Sequence, residues 1–411
     1  MSNPSSESEK EEEEKKRRRR RRTNPIALFM AFGTKGDVFP IAAIAAAFGG
    51  EMKDYRVFFV THSAHQSLSA HLAKSGVTHV PISSPPVLAV QEDSSHAGSS
   101  EPSFSLQKRN VTNAHRQECL SAVESIFGLE EVIAGDFILI NFFALEGWNL
   151  AELFQIRCVV AAPYVVPYSA PSSFERHFRK EFPLLYDYLQ EAPSGKVCWK
   201  DVMHWMWPLF AESWGYWRSD VLHLSSIPFT DPVTSLPKWH DRDPSPLLLY
   251  GFSEDIVEHP DESSSFSQRQ FGEDGIILFN GQLFCFAGSI PYLCLFPKCA
   301  VAVHHGGSGS TAAALKAGIP QVICPFLLDQ FYWAERMFWL GVAPEPLKRC
   351  HLLPESTDGM CIMEAADAFS GSIHTALSST VQARASEISS QIAQQDGVSE
   401  AVKILEREIC N

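Results

Sequence analysis

At 411 residues the chain exceeds the length over which one hydrophobic core keeps growing, so two domains are expected. Its 45% hydrophobic and 11% aromatic content excludes a largely disordered chain, and no run approaches the ~18 apolar residues of a membrane span. A net charge of −14 argues against nucleic-acid binding by the folded part. The ten cysteines show no CxxC pair or zinc-ligand spacing and no hydrophobic leader precedes them. A reducing, cytoplasmic setting is therefore expected.

Residues 1–24 join an acidic block, Glu11 to Glu14, to a basic one, Lys15 to Arg22. This is the composition of a disordered charged tail, although an arginine run can also address a nucleus or anionic lipid. Ile26 to Phe32 then reads as a buried strand ending in the loop Gly33, Thr34, Lys35, Gly36 and Asp37, with a helix from Val38 to Phe48. Further strands are expected at Val57–Val60, Val77–Ile82, Phe137–Asn141, Cys158–Ala162 and Leu247–Gly251, alternating with helical stretches. That alternation implies α/β architecture with a parallel sheet. Residues 83–112, rich in Ser and Pro, read as a loop.

Five of the nine tryptophans, Trp199, Trp205, Trp207, Trp214 and Trp217, fall close together. Helices packed under the first domain explain them most simply, and an apolar acceptor pocket or membrane-facing lip is the other reading. Residues 252–275 read as a charged, Ser-rich linker, and Ile276 to Asn280 as a strand.

The most informative stretch is 300–330, AVAVHHGGSGSTAAALKAGIPQVICPFLLDQ. A short β-branched strand stops at His304, His305, Gly306 and Gly307, and Ser308 or Ser310 can cap a helix of small residues that Gly318 and Pro320 end. Gln321 to Cys324 reads as the next parallel strand, with Asp329 and Gln330 opening another helix. Polar groups thus gather at the carboxyl ends of strands in a βαβ unit. Backbone N–H groups at a helix start suit a diphosphate, and an Asp beside a Gln suits sugar hydroxyls. A bland Gly-Ser turn would explain the glycines but not the histidines or the Asp-Gln pair.

The run HHGGSGSTAAALKAGIPQVICPFLLDQFYWAERMFWLGVAPEPL resembles the nucleotide-sugar signature of GT-B, UDP-sugar-dependent glycosyltransferases, most of all the plant-type sterol 3-O-glucosyltransferase branch. The motif Gly33 to Val38 is similar to that branch's amino-terminal loop. The resemblance implies two Rossmann-like domains with mainly parallel sheets facing a central cleft. It sets the boundaries as an acceptor-binding domain at 25–251, a linker at 252–275 and a UDP-sugar-binding domain at 276–411, closed by a helix at 398–409 that crosses back to the first domain. It also implies inverting transfer of a hexose, glucose above all, from a UDP-sugar to a sterol or similar lipophilic alcohol.

Residue by residue, the resemblance matches His304, with His305 as rival, to the phosphate-binding histidine. It matches Ser308, Gly309, Ser310 and Thr311 to phosphate contacts, and Asp329 and Gln330 to the sugar. Asp37 is the candidate base, and is equally an N-cap for the following helix. No metal or other cofactor is expected, since the loop supplies the anion cradle. Asp241-Arg242-Asp243 is a weak DxD in a Pro-rich stretch, and His62 and His65, at HxxH spacing, lack further ligands nearby. Expected partners are a UDP-sugar, a lipophilic acceptor and a membrane surface touched peripherally, with no nucleic acid.

Three features depart from the family pattern. Lys35 replaces an arginine, and Ala312 stands where plant small-molecule enzymes carry a ribose-binding Glu, which the sterol branch also lacks. The third is larger: the first βα unit of the second domain is missing between Gly251 and Ile276. A non-catalytic remnant that binds sugar nucleotide or lipid is the alternative function.

Overall fold

A computed structural model of the chain describes residues 22–86, 103–128, 131–162, 170–171, 173–193, 196–211, 214–224, 247–250, 264–265, 275–279, 282–286, 292–327, 329–354, 356, 358–393 and 395–410. β1 (Ile26–Met30) is buried at every position, as a parallel strand covered on both faces must be. It pairs in parallel with β2 (Arg56–His62) and β4 (Phe137–Asn141). With β3 (Val77–Ile82), β5 (Arg157–Ala162), β6 (Leu247–Tyr250) and β7 (Ser264–Ser265), the sheet runs β3-β2-β1-β4-β5-β6-β7, every pair parallel. The strand order reverses between β1 and β4, and in such sheets ligands bind beyond the carboxyl ends at that point.

Side chains of β1 alternate between two cores. Ile26, Leu28 and Met30 join α2 (Ser103–Phe127), α3 (Leu145–Phe154) and the tryptophans on one face. Ala27 and Phe29 pack on the other against Ile41, Ile44 and Phe48 of α1 (Lys35–Glu51). Trp199, Trp205, Trp214 and Trp217 are buried, so for these the packing reading holds. Arg116 lies 3.9 Å from the centre of the Trp214 ring, a cation held over an aromatic face.

Several expectations are corrected here. The helix of α2 begins at Ser103, inside the stretch read as loop, because Ser and Pro composition marks turns but does not prevent a helix whose buried stripe lies further on, at Cys119, Leu120 and Val123. α1 starts at Lys35 rather than Val38 with Thr34 as N-cap. Asp37 is therefore not the N-cap but the third helical residue. Arg22, inside the span read as a disordered tail, bonds Asp136. Residues 1–21 and the DxD at 241–243 lie outside the described residues. Ser264–Ser265, inside the expected linker, extends the first sheet along β6.

Downstream, β8 (Gly275–Phe279) forms an antiparallel hairpin with β9 (Gln282–Phe286). β10 (Ala302–His304) and β11 (Gln321–Ile323) pair in parallel through α4 (Ser308–Ala317), and Gly318 ends α4 in the left-handed conformation at φ +70°. α5 (Gln330–Trp339), α6 (Gly359–Ala376) and α7 (Ser379–Ile392) complete this unit. α8 (Gly397–Leu405) does cross back. Its Ala401, Val402, Ile404 and Leu405 bury into the core beneath α1, and Tyr55 Oη donates to Cys410 Sγ at 3.0 Å.

Candidate functional site

The glycine-rich turn lies between β10 and α4. Gly306 sits at φ +87°, and a Cβ there would come 2.7 Å from Ile323 Cγ2 and 3.0 Å from the Gln330 carbonyl. Only glycine fits this crossing. Gly307, not Ser308 or Ser310, is the N-cap of α4, and no side chain caps it. The first-turn N–H groups of Ser308, Gly309 and Ser310 therefore point out of the helix start without a side-chain acceptor, an arrangement that attracts anions.

The two histidines are placed differently. His304 is half-buried and bonded at both nitrogens: its Nδ1 accepts from Gly306 N at 3.0 Å, and its Nε2 lies 2.8 Å from Gln321 Oε1. Burial, against the opposing effect of the Gln321 bond, holds this imidazole at about 4, so it is neutral and donates to Gln321. His305 instead folds its ring over Gly307, where an added Cβ would stand 2.6 Å from Nε2. It is the histidine with a surface open to a ligand. Of the remaining loop residues, Thr311 is fully buried, and Ser310 Oγ donates to Tyr292 Oη at 3.4 Å. These two support the loop from behind.

Asp329 and Gln330 open α5. Gln330 Oε1 accepts from Phe326 N at 2.8 Å and Leu327 N at 2.9 Å, so this side chain shapes its own loop. Asp329 Oδ2 accepts from Trp333 Nε1 at 2.9 Å. Burial first, opposed by that bond, and then the charge of Asp37 push its carboxyl up to about 6.

Asp37 lies in the first turn of α1. Its Oδ2 accepts from both Thr34 N and Thr34 Oγ1 at 2.8 Å, the reciprocal cap of a helix start. Gly33 lies at φ +104°, with Asp37 Oδ2 only 2.7 Å from where a Cβ would be. Lys35 and Gly36 form the first residues of α1.

Sequence reasoning missed the residue that holds this loop. Asn141, fully buried, accepts from Phe32 N at 3.2 Å and donates to the carbonyls of Phe32 at 2.8 Å and Asp37 at 3.2 Å. A polar residue ending the apolar run FILIN was the available signal. Also missed was a buried polar cluster joining His62 to Ser84, His115 and Glu146. His65, the other half of the HxxH pair, bonds the Gly33 carbonyl through Nε2 at 3.0 Å. Among the described residues no group of three His, Cys, Asp or Glu is placed to hold a metal ion.

A doubly wound parallel sheet, joined by a returning helix to a βαβ unit with an uncapped glycine-rich turn, defines a GT-B fold. Residues 284–400 match the family model of the erythromycin biosynthesis protein CIII-like C-terminal domain. The chain is 38% identical over 124 residues to a terpene cyclase-glycosyl transferase fusion protein of Humicola fuscoatra, covering 30% of this chain and 9% of that one. It is 36% identical over 119 residues to a sterol 3-beta-glucosyltransferase of Arabidopsis thaliana, covering 29% and 17%. The chain thus spans less than a fifth of the length of these relatives. In three dimensions it superposes on the glycotransferase of kitacinnamycin with a TM-score of 0.50 at 14% identity, covering 94% of this chain and 100% of that one. The spinosyn forosaminyltransferase gives the same TM-score and identity, covering 95% and 100%. The chain has the GT-B fold and is a relative of the GT-B glycosyltransferases, the sterol 3-beta-glucosyltransferase branch among them.

Proposed function

We propose that the protein transfers a hexose, glucose above all, from a UDP-sugar to the hydroxyl of a sterol or similar lipophilic acceptor, with inversion at the sugar carbon. The observation that carries this reading is the start of α4, which no side chain caps, with His305 folded over Gly307.

The leaving diphosphate gains negative charge as the C1–O bond breaks. N–H groups of Ser308, Gly309 and Ser310, with a ring N–H of His305, are donors already oriented for that charge. Asp329, ionised above its raised pKa, accepts from sugar hydroxyls, and Gln330 keeps the Phe326–Leu327 turn in shape beneath it. On the acceptor side two groups can take the hydroxyl proton, the Asp37 carboxylate and the His62 imidazole. A single in-line displacement then inverts configuration whichever of them serves. Donors of this kind do a metal's work at the diphosphate, so turnover is expected to persist in chelator.

A second reading, a remnant that binds sugar nucleotide or lipid without turnover, is favoured by one observation. The hairpin of β8 and β9 is antiparallel where the family pattern has a parallel βα unit, and Val303 in β10 is 42% exposed. The deciding experiment measures UDP release from UDP-glucose with and without a sterol, beside a circular-dichroism melt of the same sample. Acceptor-dependent release from a cooperatively melting protein supports transfer. UDP binding without release, from a sample that melts cooperatively, supports the remnant.

A further inference from the structure

Four side chains from four separate segments meet beneath the Gly33–Asp37 loop: His62 ending β2, Ser84 beyond β3, His115 in α2 and Glu146 in α3. His62 Nδ1 lies 3.2 Å from Ser84 Oγ, and Ser84 Oγ lies 2.7 Å from His115 Nδ1. His115 Nε2 stands 3.8 Å from Glu146 Oε2, an ion-pair separation, with Arg116 Nε 3.6 Å from Oε1 of the same carboxylate.

The lengths give this chain a direction. Hydroxyl donors make bonds of about 2.7 Å and ring N–H donors longer ones, so Ser84 donates to His115 Nδ1 and His62 Nδ1–H donates to Ser84. His115 then carries its own proton on Nε2, which lies 3.8 Å from Glu146 Oε2 and 3.7 Å from Cys119 Sγ. His62 is left with Nε2 as a bare acceptor. That nitrogen makes no hydrogen bond among the described residues and is not among the sealed polar atoms. Mutual satisfaction of buried polar groups accounts for the bonds. It does not require the series to end on an open acceptor beside Phe32 and His65, the two residues that flank and hold the Gly33 loop.

We propose that His62 is the base for the transfer and that Ser84, His115 and Glu146 are positioning residues that carry charge away from it; this rests on the glycosyl-transfer reading above. As the acceptor oxygen bonds the sugar carbon and UDP departs, the hydroxyl proton passes to His62 Nε2. The His62 Nδ1 proton moves to Ser84 Oγ, and the Ser84 proton moves to His115 Nδ1. His62 ends neutral, and the positive charge rests on His115 against the Glu146 carboxylate. Burial above all holds the His62 imidazole at about 4, where it would be a poor base alone. Moving the charge to the Glu146 pair removes that obstacle. Asp37, with both Thr34 bonds on one oxygen, keeps the loop in shape.

Two measurements on the full chain test this. Long-range 15N–1H NMR of the histidines is expected to show His62 protonated on Nδ1 and bare on Nε2, and Ser84→Ala is expected to shift His62 toward the other tautomer. A His62 protonated on Nε2 in the unmodified chain overturns the relay, whether or not transfer is ever detected. In the UDP-release assay, His62→Gln is expected to lower acceptor-dependent turnover about 10²-fold or more while KM for UDP-glucose stays within about twofold. Ser84→Ala should lower kcat by about tenfold with the same KM, and Asp37→Asn should cost less than His62→Gln. Full turnover in His62→Gln, or a greater loss in Asp37→Asn, overturns the assignment. If the unmodified chain shows no acceptor-dependent release, the transfer reading fails and the tautomer result alone decides whether the relay exists.

Discussion

Asp37 and Asp329 come from opposite halves of the chain, yet the charge of the first raises the pKa of the second. Burial is the larger cause, and the two together hold the Asp329 carboxyl at about 6 against an ordinary aspartate's 3.8. A carboxyl raised by burial and by a like charge is common at functional sites.

This pair predicts a pH dependence of stability. Between about 3.8 and 6 the folded chain binds a proton at Asp329 that the unfolded chain does not. The group therefore stabilises the fold fully below 3.8, and that contribution is lost as pH rises through 6. Asp329→Asn, which keeps an acceptor for Trp333, should raise the melting temperature at pH 7.5 more than at pH 4. A difference between the two proteins that does not change with pH would remove this account. If the ionised form holds the sugar, KM for UDP-glucose should also rise as pH falls through 6.

The two loop histidines should separate cleanly. His304→Ala strips partners from Gln321 Oε1 and Gly306 N–H, each exposed to a desolvation cost of about 1–3 kcal/mol, so it should lower the melting temperature. His305→Ala removes an exposed ring that makes no hydrogen bond among the described residues, and should leave melting nearly unchanged while lowering kcat by about 10²-fold. Equal effects of the two variants in both assays would refute the division.

Most of the fold was legible because its signals are local. The run Ile26–Met30 reads as a buried strand without help, and Gly318 marks the end of α4 by its backbone alone. The turn between β10 and α4 was legible as a group, since HHGGSGS is contiguous. The different surroundings of His304 and His305 were not, because they depend on Gln321 reaching across from β11 to bond one of them. The polar chain was hidden for the same reason. Positions 62, 84, 115 and 146 share no spacing, and only the sheet with α2 and α3 brings them together.

Glycine positions offer a paired test of conformation against space. Gly306→Ala forces a residue with a Cβ into φ +87° and against Ile323 and Gln330, a strain of about 1–3 kcal/mol, and should weaken UDP binding as the turn shifts. Gly371→Ala, in the exposed middle of α6 with nothing within 4 Å of the added carbon, should stabilise by about 1 kcal/mol. Urea midpoints of the two variants are expected to move in opposite directions. A neutral Gly306→Ala would mean that the loop relaxes freely.

Asn141 makes the sharpest prediction about the acceptor side. Its amide both donates and accepts, joining the end of β4 to Phe32 and to the first turn of α1. Asn141→Leu, similar in size, leaves the Phe32 N–H and C=O buried and unpaired, at about 1–3 kcal/mol each. Asn141→Asp keeps an acceptor for Phe32 N but sets a carboxylate against two carbonyl oxygens, and so should destabilise as well. Because the bond to the Asp37 carbonyl is lost in both, acceptor-dependent UDP release should fall further than UDP binding, which depends on the β10–α4 turn. Equal losses of release and binding would show that the Phe32–Asp37 segment does not act through its position.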